Sequence, residues 1–169
     1  LHNRKHSFPT RRSSDLNRIE VIEEKLVEKP SINEFEDTLV EQIIIDVTRR
    51  GKYIVMELDN GYYLVSHLRM TGRFSYSDDE QEVGDYDYII FDFVNDGELR
   101  LGSKRKFTRV YLVEDLAEAG SLTDLGPEPL SDEFTVDKFK ELIAPRRGRM
   151  KPLLLNQKFV AGLGRIYVD

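Results

Sequence analysis

The chain has 169 residues, enough for one domain with a buried core together with part of a second domain. It contains no Cys, which excludes disulfides, thiolate catalysis and a Cys-ligated zinc within these residues. The net charge of −6 argues against a uniformly basic nucleic-acid binder, and no stretch reaches the ~20 apolar residues that span a membrane.

The first sixteen residues show no hydrophobic periodicity and match no processing signal. The run from His6 to Leu16 looks like the translation of a sequencing-library adapter. We therefore expect residues 1–16 to be an assembly artefact outside the fold, and a natural basic, disordered tail is the alternative. The coding DNA separates the two, because only an artefact has codons that spell an adapter.

Residues 17–124 are dominated by strand patterns with turn signals at short intervals, which predicts an antiparallel β-sandwich or barrel. Alternation predicts a strand over residues 18–27, and Ser31 followed by Glu34 predicts a helix with a capping box. A buried strand over residues 43–50 leads into a hairpin, whose type I′ turn is predicted at Asn60-Gly61. Further strands are predicted at 86–93, 98–101 and 110–113, with a turn at 95–97.

The hydrophobic period changes after residue 124. Two prolines two residues apart, Pro127 and Pro129, predict a linker over residues 125–133. Apolar spacing then predicts a helix that Pro145 stops, a second helix with Pro152 in its first turn, and the start of a further helix near Arg165. The predicted fold class is α+β: a β-sandwich over 17–124, a linker, and the start of a helical domain over 134–169.

Most cations beyond residue 16 fall in four places, at 49–52, 69–73, 100–109 and 146–151, while the acids lie elsewhere. This segregation is typical of a polyanion-binding face, although charge runs are also common in solvated loops. Phe107 lies among Lys104, Arg105 and Lys106, and Met70 follows Arg69. Apolar side chains among cations favour DNA binding, since they can enter a base stack while the cations hold phosphates.

Five motifs in a fixed order resemble the bacterial formamidopyrimidine-DNA glycosylase family, which includes endonuclease-eight-type enzymes. The resemblance covers about residues 17–169. The motifs are Arg49-Arg50-Gly51-Lys52-Tyr53, His67-Leu68-Arg69-Met70-Thr71-Gly72, Arg105-Lys106-Phe107, Leu125-Gly126-Pro127-Glu128-Pro129-Leu130, and Lys151-Pro152-Leu153-Leu154-Leu155 with Val160-Ala161-Gly162-Leu163-Gly164.

The resemblance implies a base-excision-repair glycosylase and AP lyase that flips an oxidised purine out of duplex DNA. It implies that Lys52, His67 and Arg165 contact phosphates and that Lys151 lies near the lesion pocket. It also implies that Met70 and Arg105 fill the space left by the flipped base, and that Phe107 wedges beside the opposite base. Three residues depart from the family pattern: Arg165 replaces a usual Asn, Ser103 a common acid and Thr108 a usual Gly. We expect these departures to set the local geometry differently.

Family catalysis begins at an N-terminal proline, whose amine attacks the sugar C1′, with an adjacent Glu as the acid. Neither group is present here, because the chain begins at Leu1 and the nitrogen of Pro9 is an amide. The resemblance thus implies a fragment that is inactive by itself, has no cofactor, and comes from a parent with a C-terminal zinc module. It also implies a monomer that binds damaged double-stranded DNA, without a membrane partner, at the nucleoid in the bacterial cytoplasm.

Two other functions remain open from the sequence. One is a natural, catalytically dead DNA-binding relative, and the other is an acidic β-barrel interaction module with no nucleic-acid role. A flanking Met-Pro-Glu start and a downstream four-Cys segment in the genomic DNA would establish the fragment hypothesis. Salt-dependent duplex binding by residues 17–169 would eliminate the interaction module.

Overall fold

The computed structural model describes residues 15–78, 81–94 and 97–169. It confirms the α+β fold class, with two β-sheets followed by a helical region. The strands are β1 (Leu16–Val21), β2 (Val27–Lys29), β3 (Ile44–Arg50), β4 (Tyr53–Leu58), β5 (Tyr63–His67), β6 (Gly72–Ser77), β7 (Asp87–Phe93), β8 (Glu98–Ser103) and β9 (Arg109–Val113). The helices are α1 (Ile32–Leu39), α2 (Val136–Ile143), α3 (Met150–Leu155) and α4 (Arg165–Val168).

The two sheets pack face to face around one apolar core. One has the strand order β1-β7-β8-β6 and the other β2-β9-β5-β4-β3, and all neighbours are antiparallel except β2 and β9. Ile89 and Leu101 from the first sheet and Leu64 and Val110 from the second are at most 1% exposed in this core. The chain crosses between the sheets after β1, after β5 and after β8. These crossings position the candidate site.

The first strand differs from its prediction at both ends. It begins at Leu16, which is fully buried, so the fold includes the last residue of the segment set apart as 1–16. It ends at Val21, because the N–H groups of Ile22 and Glu23 both donate to the Tyr88 carbonyl and so interrupt the ladder. The single strand predicted over 18–27 is therefore wrong. A short 3-10 turn intervenes over Glu24–Leu26 before β2.

The helix α1 begins after Ser31, as predicted, and buries Phe35 and Leu39. The predicted capping box is wrong, because the Ser31 side chain makes no capping hydrogen bond and its carbonyl accepts the Phe35 N–H instead. The next strand, β3, was predicted to be buried. It is the edge strand of its sheet, and Ile45 is 53% exposed.

The β4–β5 hairpin has the predicted strands and a different turn. Only Gly61 of the turn pair has a positive φ, +86°, whereas a type I′ turn requires a positive φ at both residues. The Gly61 N–H donates to the Leu58 carbonyl, and the Leu58 N–H donates to the Tyr62 carbonyl, which makes a three-residue loop. The Asn60 side chain accepts the Tyr62 N–H at 3.1 Å. Of the turn predicted at 95–97, residues 95 and 96 lie outside the described residues.

The helical region packs back on the predicted linker. The Gly126 N–H donates to the Gln157 carbonyl at 2.8 Å, and the Ala161 N–H donates to the Pro127 carbonyl at 3.0 Å. Thr135 caps α2 by accepting the Lys138 N–H, and Pro152 lies in the first turn of α3 as predicted. No helix in the part of the chain that the structure describes is both long and apolar enough to cross a membrane.

Candidate nucleic-acid interface

Lys52 and His67 lie at the same end of the β4–β5 hairpin. Lys52 belongs to the two-residue turn between β3 and β4, where Gly51 adopts a φ of +57°. Tyr53 follows it and pairs with His67 across the hairpin. The charge of Lys52 contributes to lowering the pKa of His67, which shows that the two side chains are electrostatic neighbours. The structure thus brings together the two residues predicted to contact phosphates.

His67 is held as a neutral imidazole. Burial, followed by the charges of Arg69 and Lys52, lowers the pKa of His67 to about 4. Its Nδ1 accepts the Arg69 N–H at 3.1 Å, and its ring packs edge-on against Tyr53 with ring centroids 4.7 Å apart. Because Nδ1 is an acceptor, the proton of the neutral ring is on Nε2. His67 can therefore donate one hydrogen bond to a phosphate without carrying a charge.

Met70, Arg105 and Phe107 form one exposed cluster, which we call the wedge. The Arg105 Nη1 lies 3.2 Å from the Met70 Sδ although the residues are 35 positions apart, and the Arg105 guanidinium lies 5.8 Å from the centre of the Phe107 ring. Met70 is 70% exposed and Phe107 is 50% exposed. Large apolar side chains rarely remain so exposed without a function when they cluster. The structure brings all three predicted intercalating residues together.

Three hydroxyl groups, of which those of Ser103 and Thr108 are buried, hold the base of the wedge. The Thr108 hydroxyl lies 2.9 Å from the Ser103 Oγ and 3.3 Å from the Leu68 carbonyl, and the Arg105 N–H donates to the Thr71 Oγ1 at 3.0 Å. Ser103 and Thr108 are thus partners of each other, which gives a physical role to two departures from the family pattern. A Cβ on Gly72 would lie 2.4 Å from the Leu68 carbonyl oxygen, so only glycine fits there.

The turn before α4 lies beside Lys52. The Lys52 Nζ is 3.7 Å from the position that a Cβ on Gly164 would occupy, and burial lowers the pKa of Lys52. Arg165 is the first residue of α4 and is exposed. The hairpin and the helical region therefore present Lys52 and Arg165 at adjoining positions, although they are far apart in the sequence.

Glu128 connects the two parts of the chain, a role that the sequence reasoning did not assign to it. Its carboxylate accepts the Gly51 N–H at 2.5 Å and pairs with Arg49 at 2.9 Å and Arg50 at 3.0 Å. Burial opposes ionisation, but the Gly51 N–H and the two guanidinium groups outweigh it, so the pKa of Glu128 is lowered. Arg50 also donates to the carbonyl of Leu125 at 2.9 Å. Glu128 belongs to the fourth of the five motifs, but the sequence does not identify the cations with which it pairs.

The polyanion-binding face is smaller than the four predicted cation groups. Many of these cations have carboxylate partners: Arg49 and Arg50 with Glu128, Arg73 and Arg100 with Asp87, Lys106 with Glu23, Arg109 with Glu28, and Lys151 with Asp169. Other cations of the four groups, and Arg165 of α4, have no carboxylate within 4.0 Å in residues 15–78, 81–94 and 97–169. They are Lys52, Arg69, Lys104, Arg105, Arg146, Arg147, Arg149 and Arg165. Two of these cations, Arg69 and Lys104, are sequence neighbours of the wedge residues Met70 and Arg105.

Arg100 shows why sequence clusters overstate the face. It is 7% exposed and pairs with Asp87 at 3.1 Å and Glu98 at 2.6 Å, so it cannot reach a phosphate. Lys151 was predicted near the lesion pocket, and its ammonium pairs with Asp169 on the end of α4. Its predicted role in DNA binding is not tested by this contact and stays a prediction.

Zinc does not fit the described residues. They contain no group of three or more His, Cys, Asp and Glu side chains that could hold a metal ion, and the whole chain has no Cys. A Cys-ligated zinc would need thiolates that these residues do not supply. The zinc module that the resemblance implies for a longer parent stays a prediction.

Two family models match the chain. The family model of the formamidopyrimidine-DNA glycosylase N-terminal domain matches residues 7–110, and that of the H2TH domain matches residues 125–169. The first match begins inside the segment 1–16, and the origin of that segment stays a prediction for the coding DNA to test. The two matches together contain all seven predicted site residues.

Curated relatives share substantial identity with the chain. A formamidopyrimidine-DNA glycosylase from Pelotomaculum thermopropionicum is 40% identical over 153 residues, which are 89% of this chain and 55% of that protein. One from Protochlamydia amoebophila is 46% identical over 128 residues, 76% of this chain and 46% of that protein. The chain thus spans about half the length of these relatives.

Solved structures agree with this assignment. The Lactococcus lactis formamidopyrimidine-DNA glycosylase, bound non-covalently to DNA with an AP site, matches with a TM-score of 0.83 and 31% identity over 94% of this chain and 61% of that one. Its complex with DNA containing FAPY-dG matches with a TM-score of 0.84 and 30% identity over 94% and 60% of the two chains. By family models, relatives and structure, the chain belongs to the formamidopyrimidine-DNA glycosylase family.

Proposed function

We propose that the chain is the DNA-engaging part of a base-excision-repair glycosylase and AP lyase that removes oxidised purines from duplex DNA. The single observation that carries this proposal is the exposed wedge of Met70, Arg105 and Phe107, with the cations Arg69 and Lys104 next to it in the sequence. The relatives are formamidopyrimidine-DNA glycosylases, and the Lactococcus lactis protein binds DNA with an AP site or FAPY-dG. The two Lactococcus lactis structures are complexes with DNA.

The wedge has the chemistry needed to stabilise an everted base. Flipping a nucleotide costs a few kcal/mol of stacking and pairing, and the vacated space must be filled. Met70 is flexible and polarisable, so it can fill an irregular gap, while the planar Phe107 ring can enter between bases. Arg105 can donate hydrogen bonds to the base left without a partner, and it lies between the other two side chains.

The surroundings of the wedge can hold the phosphates on either side of the flipped nucleotide. His67 donates from Nε2 as a neutral ring, and Lys52, Arg69 and Arg165 contribute charge without carboxylate partners in the described part of the chain. Such contacts fix register and orientation but carry no sequence information. We propose that the protein acts on chromosomal DNA at the nucleoid in the bacterial cytoplasm, which follows from this partner.

The covalent chemistry needs an amine that the wedge does not supply. We propose that the attacking amine and its acid lie outside the described residues, so that the wedge and phosphate contacts position DNA for them. A polypeptide of these 169 residues should form no borohydride-trapped adduct with abasic DNA. A trapped adduct that depends on one of these residues would refute this division of roles.

Duplex binding tests the proposal. Fluorescence anisotropy would follow this chain on duplexes that contain a tetrahydrofuran abasic analogue or no lesion, over a range of salt concentrations. We expect tighter binding to the abasic duplex, and affinity that falls as salt rises. Phe107→Ala should remove most of the preference for the abasic duplex, whereas Tyr76→Ala, an exposed aromatic on β6 that is 54% exposed, should retain it. Absence of salt-dependent binding would refute a DNA function.

A further inference from the structure

We propose that Lys106 and Glu23 form an anchor that positions the wedge, although neither side chain would touch DNA. This inference rests on the proposed function, because positioning matters only if the wedge enters a duplex. The Lys106 ammonium lies 2.5 Å from the Glu23 carboxylate, and it lies 4.8 Å from the centre of the Tyr88 ring. Lys106 is thus held by an ion pair and a cation–π contact at once.

The anchor joins the chain between two wedge residues to another part of the fold. Arg105 and Phe107 flank Lys106 in the sequence, and both belong to the exposed wedge. The Lys106 side chain instead reaches Glu23 in the β1–β2 connection. Because Lys106 lies between Arg105 and Phe107 in the chain, fixing its side chain restricts the backbone from which both wedge residues extend. The anchor therefore limits the positions that Arg105 and Phe107 can adopt.

The backbone at Lys106 adopts an unusual conformation. Its φ is +54°, in the left-handed region that residues other than glycine rarely occupy. The Lys106 N–H donates to the Ser103 carbonyl at 2.9 Å and closes a tight turn. The two charges stabilise each other, since Glu23 raises the pKa of Lys106 and Lys106 lowers the pKa of Glu23. Removing either partner should let the loop leave this conformation.

Glu23 is a firm attachment point. Its N–H and that of Ile22 donate to the Tyr88 carbonyl at 3.3 Å and 2.9 Å, and Tyr88 is 9% exposed in the core. The Glu23 side chain is 19% exposed. A second attachment, from the Arg105 N–H to the Thr71 Oγ1, joins the loop to the Met70 loop. The wedge is thus tied to two neighbouring connections, and the anchor is the charged one of these ties.

The test uses this chain with an abasic duplex that carries 2-aminopurine opposite the tetrahydrofuran site. Unstacking of 2-aminopurine by the wedge would raise its fluorescence, and stopped-flow mixing gives the rate. For Glu23→Gln and Lys106→Met, we expect the rate to fall about fivefold while the anisotropy Kd changes less than twofold. Lys106→Arg and the charge-swapped double variant Glu23→Lys with Lys106→Glu should recover most of the rate. The control Lys29→Met, which breaks an exposed pair with Glu118, should leave the rate unchanged.

The outcomes separate this inference from the proposed function. If the wild-type chain neither binds the duplex nor raises the fluorescence, the proposed function itself fails. If the wild-type chain does both and Glu23→Gln matches its rate, the anchor is refuted alone. Equal losses of rate and affinity, with no recovery in the charge-swapped variant, would also refute the positioning role.

Discussion

Glu128 is the most informative residue for the stability of the chain, and we predict the effect of Glu128→Gln. The amide keeps the shape and an acceptor for the Gly51 N–H but removes the charge that faces Arg49 and Arg50. Hydrogen bonds to charged groups contribute about 1.5–3 kcal/mol each. The Arg50 side chain is 33% exposed and Arg49 is 50% exposed, so screening reduces the contribution of the second pair. We expect the free energy of unfolding to fall by about 2 kcal/mol.

Urea and thermal unfolding at pH 7 would measure this change. For a chain of this size, ~2 kcal/mol corresponds to a fall in Tm of roughly 4–8 °C. The matched control is Glu118→Gln, because Glu118 pairs with Lys29 at 3.0 Å and both side chains are more than half exposed. That variant should change the free energy of unfolding by less than about 0.5 kcal/mol.

The dependence of the free energy of unfolding on pH tests the role of the Glu128 charge. Because the pKa of Glu128 is lowered from 4.5 in the folded state, its contribution to stability is complete above pH 4.5 and is lost as the pH falls through the folded value. The difference between wild type and Glu128→Gln should therefore be full at pH 7 and shrink in acid. Equal effects of Glu128→Gln and Glu118→Gln at pH 7 would refute the reasoning, as would a difference that persists unchanged in acid.

Three further predictions concern the interface. Gly72→Ala should lower the free energy of unfolding by more than about 2 kcal/mol, because its Cβ would lie 2.4 Å from the Leu68 carbonyl oxygen. The control Gly61→Ala, whose Cβ would meet nothing within 4 Å, should lower it by about 1 kcal/mol because of the positive φ. Similar losses for the two variants in urea unfolding would contradict the clash. Because the pKa of His67 is lowered from 6.5 to about 4, the unfolded chain binds the extra proton between these values, so wild-type stability should rise with pH over that window and His67→Gln should flatten the rise. A rise in urea stability unchanged by the substitution would contradict the buried neutral ring. In a full-length enzyme that contains this segment, Met70→Ala should slow lesion processing more than it weakens ground-state duplex binding, because the proposed role of Met70 follows flipping. Equal losses in the single-turnover rate and in duplex affinity, measured as Kd, would count against intercalation.

The sequence predicted the parts of the fold that depend on local patterns. The strands of the β4–β5 hairpin were predicted because turn residues separate two apolar runs, and α1 because Phe35 and Leu39 recur at helical spacing. The predicted strand over 18–27 failed because a distant carbonyl, that of Tyr88, ends it. The alternation of polar and apolar residues along a chain gives no information about where such a partner lies. The same limit hid the edge position of β3.

The seven site residues came from the family resemblance, and the structure joined Met70, Arg105 and Phe107 as expected. The electrostatic face could not be predicted from charge runs. Formal charges show how many cations a segment has, but only the fold shows that Arg100 is buried between Asp87 and Glu98. The linker over 125–133 was inferred from its prolines, and the fold makes it a contact segment through Glu128.

The three crossings between the sheets have a mechanical consequence. Met70 lies in the crossing from β5 to β6, Arg105 and Phe107 lie in the crossing from β8 to β9, and Glu23 lies in the crossing from β1 to β2. Contacts from the β8–β9 crossing to the other two join all three at one end of the sandwich. A force on the wedge from a resisting base stack is therefore transmitted to both sheets. The close-packed core between the two sheets then resists displacement of the connections that carry the wedge.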